Sequence, residues 1–230
     1  YTTLFRSWAL QMANGGSGVL LGGVPGVPPA KVAIIGAGES GSHAARIAAG
    51  IGAEVIVFDI NLTRLDQLDQ MHGGRIKTAY SEPLAIADYV ADADLVIGAL
   101  LIPGKLAPKL ISRELLSRMR KGSVLVDVAI DQGGIAETSR PTSHSHPLFV
   151  EEGVVHYCVP NMPSAVARTA TLALTQSTYP YVLKLADLGL DKALHDSGLA
   201  GGLQVFAGHV THSGLAEDVK RQFRAYAELR

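Results

Sequence analysis

Six short, strongly apolar runs recur along the first two thirds of the chain: KVAIIGAG (31–38), EVIVFDI (54–60), RIKTAYS (75–81), DLVIGALL (94–101), SVLVDVAI (123–130) and VVHYCV (154–159). Between them lie segments of a different texture. SGSHAARIAAGIG reads as a helix closed by Gly50 and Gly52, and NLTRLDQLDQMHG as a helix capped by Gly73 and Gly74. EPLAIADYVADA has proline near its first turn, and SRELLSRM reads as a further helix. Runs that are apolar throughout, not alternating, belong to strands covered on both faces. Strands alternating with helices at this spacing specify a parallel sheet with helices on either side and right-handed crossovers. The fold class is therefore α/β, a doubly wound parallel sheet of the Rossmann type over residues 30–162.

The first strand ends in a glycine pattern that needs a ligand to explain it. VAIIGAGESG sets Gly36, Gly38 and Gly41 in G-x-G-x-x-G spacing where a strand gives way to a helix. Gly36 permits the tight turn, Gly38 lets a pyrophosphate approach the backbone, and Gly41 lets helix and strand pack closely. The N–H groups of Glu39 and Ser40 are then the natural donors to phosphate at the positive end of the helix. Twenty-one residues after Gly38, Asp59 closes the second strand, where a carboxylate accepts hydrogen bonds from an adenosine ribose. A carboxylate there repels a 2′-phosphate and favours NAD over NADP. Arg64 tempers that preference, because a nearby arginine can receive the phosphate. The alternative is that the glycines serve packing and Asp59 caps a helix.

Ligands of open parallel sheets sit beyond the carboxyl ends of the strands. Those ends are Gly36 to Gly41, Asp59, Ser81, Leu100 to Pro103, Asp131 and Val159 to Met162. Asp131 follows an apparently buried strand and precedes Gln132 and two glycines. It either positions a substrate amine or an activated water near the nicotinamide, or is a solvated carboxylate capping a turn.

Outside the sheet segment the chain changes character. Residues 14–29, NGGSGVLLGGVPGVPP, read as a glycine-rich connector that extends back to residue 8. After Met162, residues 163–230 read as a largely helical segment interrupted at Pro180, with a turn, a short extended piece and an amphipathic helix at the end. YTTLFRS, residues 1–7, matches one reading frame of a sequencing-library adapter. The expectation is a read artefact, with the coding sequence continuing upstream.

Composition excludes several function classes. Net charge is −1, from 20 basic and 21 acidic residues with no basic stripe, so no nucleic-acid partner is expected. No apolar run approaches the length of a membrane span, so no membrane partner is expected. Cys158, the single cysteine, cannot form a disulfide within the chain; it reads as a small core residue, and the cytoplasm is the expected compartment. His144 and His146 alternate in TSHSHP, but nothing supplies further metal ligands. His43 reads as a surface or packed helix position, His156 as a core or interface residue, and Ser139 and Thr142 as turn formers with no paired base.

Six blocks carry a family resemblance: GVLLGGVPGV, VAIIGAGESG, LVIGALLIPG, VDVAIDQGGIAETSRPT, HYCVPNMPSAVARTAT and YVLKLADLG. Together, from about Asn14 to about His212, they resemble alanine dehydrogenase. In that family an NAD-binding domain is inserted into a catalytic domain built from the N-terminal part of the chain and a C-terminal return. The resemblance makes residues 163–230 that return and implies an N-terminally truncated chain. The family's catalytic histidine, and the arginine and lysine that hold pyruvate, belong to the part that is missing.

The implied reaction is reversible, NAD-dependent oxidative deamination of L-alanine to pyruvate and ammonium, by a parent that is a homo-oligomer, a hexamer. By resemblance Asp131 is catalytic, Asp59 binds ribose, Arg64 lies near the adenosine, and Glu39 and Ser40 belong to the phosphate loop. Ser81, Leu100 and Leu101 match adenine-side contacts. Val128, Ala129, Ile130, Arg140, Val159, Pro160, Asn161 and Met162 match contacts around the ribose and nicotinamide. Pro160 stands where the family pattern has alanine. The competing reading is the soluble NAD-binding part of a proton-translocating transhydrogenase. Those relatives usually carry Gln or Glu at the position of Asp131 and differ at SRPT.

Overall fold

The structure, a computed structural model, describes residues 7–102 and 106–229. The expected adapter-derived stretch therefore lies outside the described residues except for Ser7. The chain divides into two compact units, one running to Ile102 and from Leu106 to Met162, the other from Pro163 onward.

The first unit holds a seven-stranded sheet. Its strands are β1 (Lys31–Ile35), β2 (Glu54–Asp59), β3 (Ile76–Tyr80), β4 (Leu95–Gly98), β5 (Val124–Asp127), β6 (Leu148–Glu151) and β7 (Val154–Tyr157), in the spatial order β3-β2-β1-β4-β5-β7-β6. Every pairing is parallel except β6 with β7. The order reverses beside β1, which pairs with β2 on one side and β4 on the other. That reversal is the switch point at which open α/β sheets hold their ligands.

Helices α1 (Glu39–Ile51), α2 (Leu62–His72), α3 (Pro83–Ala91) and α4 (Arg113–Arg118) cover both faces of the sheet. Successive residues of a strand point to opposite faces, so one run feeds two cores. Val32 and Ile34 of β1 pack with Ala44, Ala45 and Ala48 of α1, whereas Ala33 and Ile35 pack in a second cluster with Ile86 and Val90 of α3 and Leu115 and Leu116 of α4. The alanine face of α1 brings that helix close to the sheet. Asn61 caps α2 by accepting a hydrogen bond from the Arg64 N–H, Ser112 caps α4 in the same way, and Pro83 opens α3. The glycine-rich stretch before β1 is irregular, with one 3-10 turn over Met12–Asn14 and a bridge between Val24 and Val27. It is also packed: Ala9, Leu10 and Leu21 are buried in the first cluster.

Several sequence expectations are corrected. SVLVDVAI is not one strand. It leaves the sheet at Asp127 and continues as a 3-10 turn over Val128–Gln132, because the Asp127 side chain caps the Ala129 N–H and diverts the backbone. LFVE, after Pro147, forms a strand beyond those expected, the antiparallel edge β6. It turns into β7 through Glu152 and Gly153, both at positive φ, as a two-residue hairpin requires.

In the second unit, α5 (Ala167–Ala193) runs through Pro180 without breaking, and the interruption falls instead at Gly189, whose φ of 71° lies outside the helical region. α6 (Ser197–Gly202) and the two-stranded ribbon β8 (Val205–Phe206) and β9 (His209–Val210) follow. The expected terminal amphipathic helix shrinks to α7 (Ser213–Asp218), followed by a turn at Lys220 with positive φ. Along α5, Leu172, Leu174, Tyr179, Tyr181 and Val182 are exposed.

Among the described glycines, the closest approach to a Cβ position is that between α1 and the turn before it. A Cβ added to Gly41 would lie 1.8 Å from the Gly36 carbonyl oxygen. Gly41→Ala is therefore expected to destabilise the chain by about 3 kcal/mol or more, the range of severe overpacking, whereas Gly50→Ala, whose Cβ meets nothing within 4 Å, should be neutral or slightly stabilising. Urea denaturation of both variants checks the contrast.

Candidate nucleotide site at the carboxyl edge of the sheet

The turn from β1 into α1 is built from backbone constraints. Gly36 has a φ of 107°, and a Cβ there would stand 2.7 Å from the Ala99 carbonyl oxygen of the loop after β4. Gly38 is different. Only Arg64 Nη1, at 3.9 Å, lies near its Cβ position, so the space above it is open. The three glycines thus mark a turn, an open space and a close helix contact. Glu39 and Ser40 open α1, so their N–H groups have no partner one helical turn earlier and face the cradle. Glu39 is itself exposed and pairs with His43 at 2.8 Å, leaving His43 on the helix surface.

Asp59 ends β2 beside this turn and is nearly buried, 8 % exposed. One carboxylate oxygen accepts the Ala37 N–H at 2.6 Å and the other the Asn61 N–H at 2.8 Å. It therefore pins the phosphate turn to the neighbouring strand, and each oxygen retains a second acceptor direction. Asn61, not Asp59, is the cap of α2. The Ser81 N–H donates to the Asp59 carbonyl, which holds the chain after β3 against the same edge.

The other candidates follow from strand register. Leu100 and the exposed Leu101 leave β4; Val128, Ala129, Ile130 and the exposed Asp131 leave β5; and Val159, Pro160, Asn161 and Met162 follow β7. All lie at one edge. With neighbouring strands about 4.8 Å apart, the ends of β2 and β5 stand about 14 Å from each other across that edge. Val159 and Met162 are buried in the core cluster, and Asn161 adopts a φ of 49°, a conformation asparagine tolerates. Arg140 reaches the edge from the segment between β5 and β6. Its guanidinium lies 4.0 Å over the Phe149 ring, which stacks on His156 with 4.7 Å between centroids.

Two groups beneath the site were not singled out from the sequence. Asp127, fully buried at the end of β5, accepts the Ala129 N–H at 3.1 Å, the Ile135 N–H at 2.7 Å and the Ser139 hydroxyl at 2.5 Å. Ser139 is therefore more than a turn former. The local signal was an aspartate two residues before the N–H it caps. Gln132 was read only as part of the turn away from Asp131. Its amide bridges to the loop after β4, donating to the Ile102 carbonyl at 3.0 Å and accepting the Ile102 N–H at 3.3 Å. No signal within the sequence pairs residues 30 apart in this way.

Cys158 is buried and its thiol is pushed up to about 12, first by burial and then by the Asp127 charge, so it is inert. Among the described residues no group of three or more His, Cys, Asp and Glu side chains is placed to hold a metal, and no helix is long and apolar enough to cross a membrane.

A doubly wound parallel sheet with a glycine turn and a strand-end carboxylate at its switch point defines a dinucleotide-binding class of protein. Comparison with known proteins narrows the class. Residues 4–213 match the family model "Alanine dehydrogenase/PNT, C-terminal domain", and the chain belongs to that family. It is 56% identical over 222 residues to an alanine dehydrogenase of Halomonas elongata, covering 96% of this chain and 60% of that protein. It is 51% identical over 221 residues to alanine dehydrogenase 2 of Staphylococcus aureus strain USA300, covering 95% of this chain and 59% of that protein. A solved L-alanine dehydrogenase superposes with a TM-score of 0.86 at 51% identity, over 95% of this chain and 61% of the other. A transhydrogenase from Sinorhizobium meliloti is more distant, with a TM-score of 0.57 and 31% identity over 64% of this chain and 42% of the other. The chain thus spans about 60% of the length of the curated alanine dehydrogenases it matches.

His156 beneath Arg140 gives a pH dependence. Its Nδ1–H donates to the Val154 carbonyl, leaving Nε2 to accept from the Thr138 hydroxyl, each at 2.9 Å. Burial holds its pKa below the ordinary histidine value. The unfolded chain therefore binds this proton more readily than the folded one. The resulting stability is complete above about pH 6.5 and is lost as pH falls from there through the lower folded value. Urea midpoints measured from pH 7.5 to 5.5 should fall, with a shallower slope in His156→Gln.

Proposed function

We infer that this chain is the NAD-binding portion of an alanine dehydrogenase. The observation that carries the reading is the cradle at Gly38, pinned by Asp59, in a chain 56% identical to an enzyme of that name. The open space above Gly38 and the α1 N-terminus fit a pyrophosphate, with Glu39 and Ser40 donating through their backbone N–H groups. Asp59 accepts from the adenosine ribose with the acceptor directions left over from Ala37 and Asn61. Arg64 closes the cradle from α2, and Ser81, Leu100 and Leu101 border the adenine. Val128 to Ile130, Arg140 and Val159 to Met162 border the ribose and nicotinamide.

The reaction is reversible oxidative deamination of L-alanine to pyruvate and ammonium. Bound NAD supplies a nicotinamide ring that takes up or returns a hydride. This chain's part in the chemistry is Asp131, which positions the substrate amine and the attacking water as an exposed carboxylate at the end of a rigid turn. The groups that would hold the pyruvate carboxylate and carbonyl have no counterpart in the motifs matched here. The chain by itself is therefore inactive, and the working enzyme is a cytoplasmic homo-oligomer acting on this small-molecule substrate.

Two measurements test this. Fluorescence titration should show NADH binding at least about tenfold tighter than NADPH, about 1.4 kcal/mol of discrimination by the Asp59 carboxylate. Equal affinities, or no binding of either, would overturn the assignment of the cofactor. Alanine-dependent NADH formation by the purified chain is expected to be absent, and sustained turnover would overturn the division of labour.

A further inference from the structure

The turn that carries Asp131 is held between two opposite charges that do not belong to the nucleotide cradle. From inside the sheet, the Asp127 carboxylate gathers donors: the Ala129 and Ile135 N–H groups and the Ser139 hydroxyl. From outside, the Lys109 ammonium gathers acceptors. Its Nζ donates to the Gly133 carbonyl at 2.5 Å, the Gly134 carbonyl at 2.9 Å and the Ala136 carbonyl at 3.0 Å. An ammonium has three hydrogens, and all three are used. Gly133 and Gly134 both adopt positive φ, at 88° and 77°, in the turn that presents these oxygens to one point. Three carbonyl dipoles converging negative end first repel one another, and a cation at their focus offsets that repulsion.

The fit around Gly134 is also tight on the anionic side. A Cβ there would stand 2.5 Å from the Asp127 carboxylate and 2.6 Å from Ser139 Cβ. Two N–H groups of this stretch, those of Ala129 and Ile135, thus face a buried anion, and three carbonyls, those of Gly133, Gly134 and Ala136, face a surface cation.

We propose that Lys109 is a positioning residue: its ammonium holds the Asp131 turn, and with it the backbone of Val128–Ile130, in the geometry that receives the nicotinamide half of the dinucleotide. The effect on ligand rests on the NAD-binding reading above; the effect on the turn does not. Lys109 lies on the segment between the loop after β4 and α4, and the neighbouring Ala107 N–H donates to the Gln132 carbonyl at 2.9 Å. Gln132 in turn grips Ile102. The segments after β4 and β5 are therefore one tied unit, and Lys109 ties it through a charge at the surface.

The test compares Lys109→Met, which keeps the length and removes the charge, with Lys109→Arg, which keeps the charge. Amide hydrogen exchange is read by peptide, and binding is titrated with NADH and with ADP-ribose, which lacks the nicotinamide. In Lys109→Met, exchange over 129–136 should accelerate about tenfold while α1 stays unchanged, and NADH affinity should fall about tenfold with ADP-ribose affinity unchanged. Lys109→Arg should restore both. Unchanged exchange, or a parallel loss of both ligands, would overturn the proposal. If the unsubstituted chain bound neither ligand, the nucleotide reading would fall separately. Exchange over 129–136 would then decide whether Lys109 holds the turn: acceleration reversed by arginine supports it, and no acceleration overturns it.

Discussion

The contact between Gly41 and the Gly36 carbonyl sets the position of everything at the carboxyl edge of the sheet. No side chain of any size fits at 1.8 Å, so α1 starts directly on the end of β1 and its first N–H groups open into the cradle at Gly38. Asp59 then fixes the turn sideways through the Ala37 N–H. A small motif thereby achieves what a binding loop most needs, a backbone with one conformation before the ligand arrives. The entropy of ordering it is offset by folding and not charged to binding.

The segment after β5 is organised on a different principle. There is no glycine cradle after β5. A buried carboxylate, Asp127, replaces the ladder hydrogen bonds that the strand abandons and turns the backbone into the 3-10 segment that carries Asp131. Removing a carboxylate from water is costly unless its acceptor positions are filled. Here the two backbone N–H groups and the Ser139 hydroxyl fill them. The exposed acid and the buried acid are four residues apart and have opposite environments. One is exposed to solvent and the other is committed to structure.

Much of this was readable in the chain. Apolar runs without alternation identified a parallel sheet, and G-x-G-x-x-G in its strand–helix context placed the cradle. The misreadings share a cause. SVLVDVAI has the composition of one long strand, and only the capping of Ala129 by Asp127 ends it early. Pro180 is a helix breaker by propensity, yet the helix continues through it and yields at Gly189. LFVE was passed over because a four-residue edge strand is recognisable mainly by the partner it pairs with. In each case composition suggested an element whose bounds were decided by one specific feature: the Asp127 cap, the Gly189 backbone and the pairing with β7.

Sequence by itself determined the layer architecture, the glycine turn after β1 and the acid Asp59 at the end of β2, because each rests on interactions within about one strand–turn–helix unit, where spacing in sequence is spacing in space. Tertiary structure alone decided that Gln132 grips Ile102, that Lys109 caps the carbonyls around Gly134, and that Arg140 rests on Phe149 and His156. Those partners meet only after the sheet has ordered its strands. Nothing in the local chemistry of a glutamine, a lysine or a phenylalanine specifies which distant backbone or ring it will find.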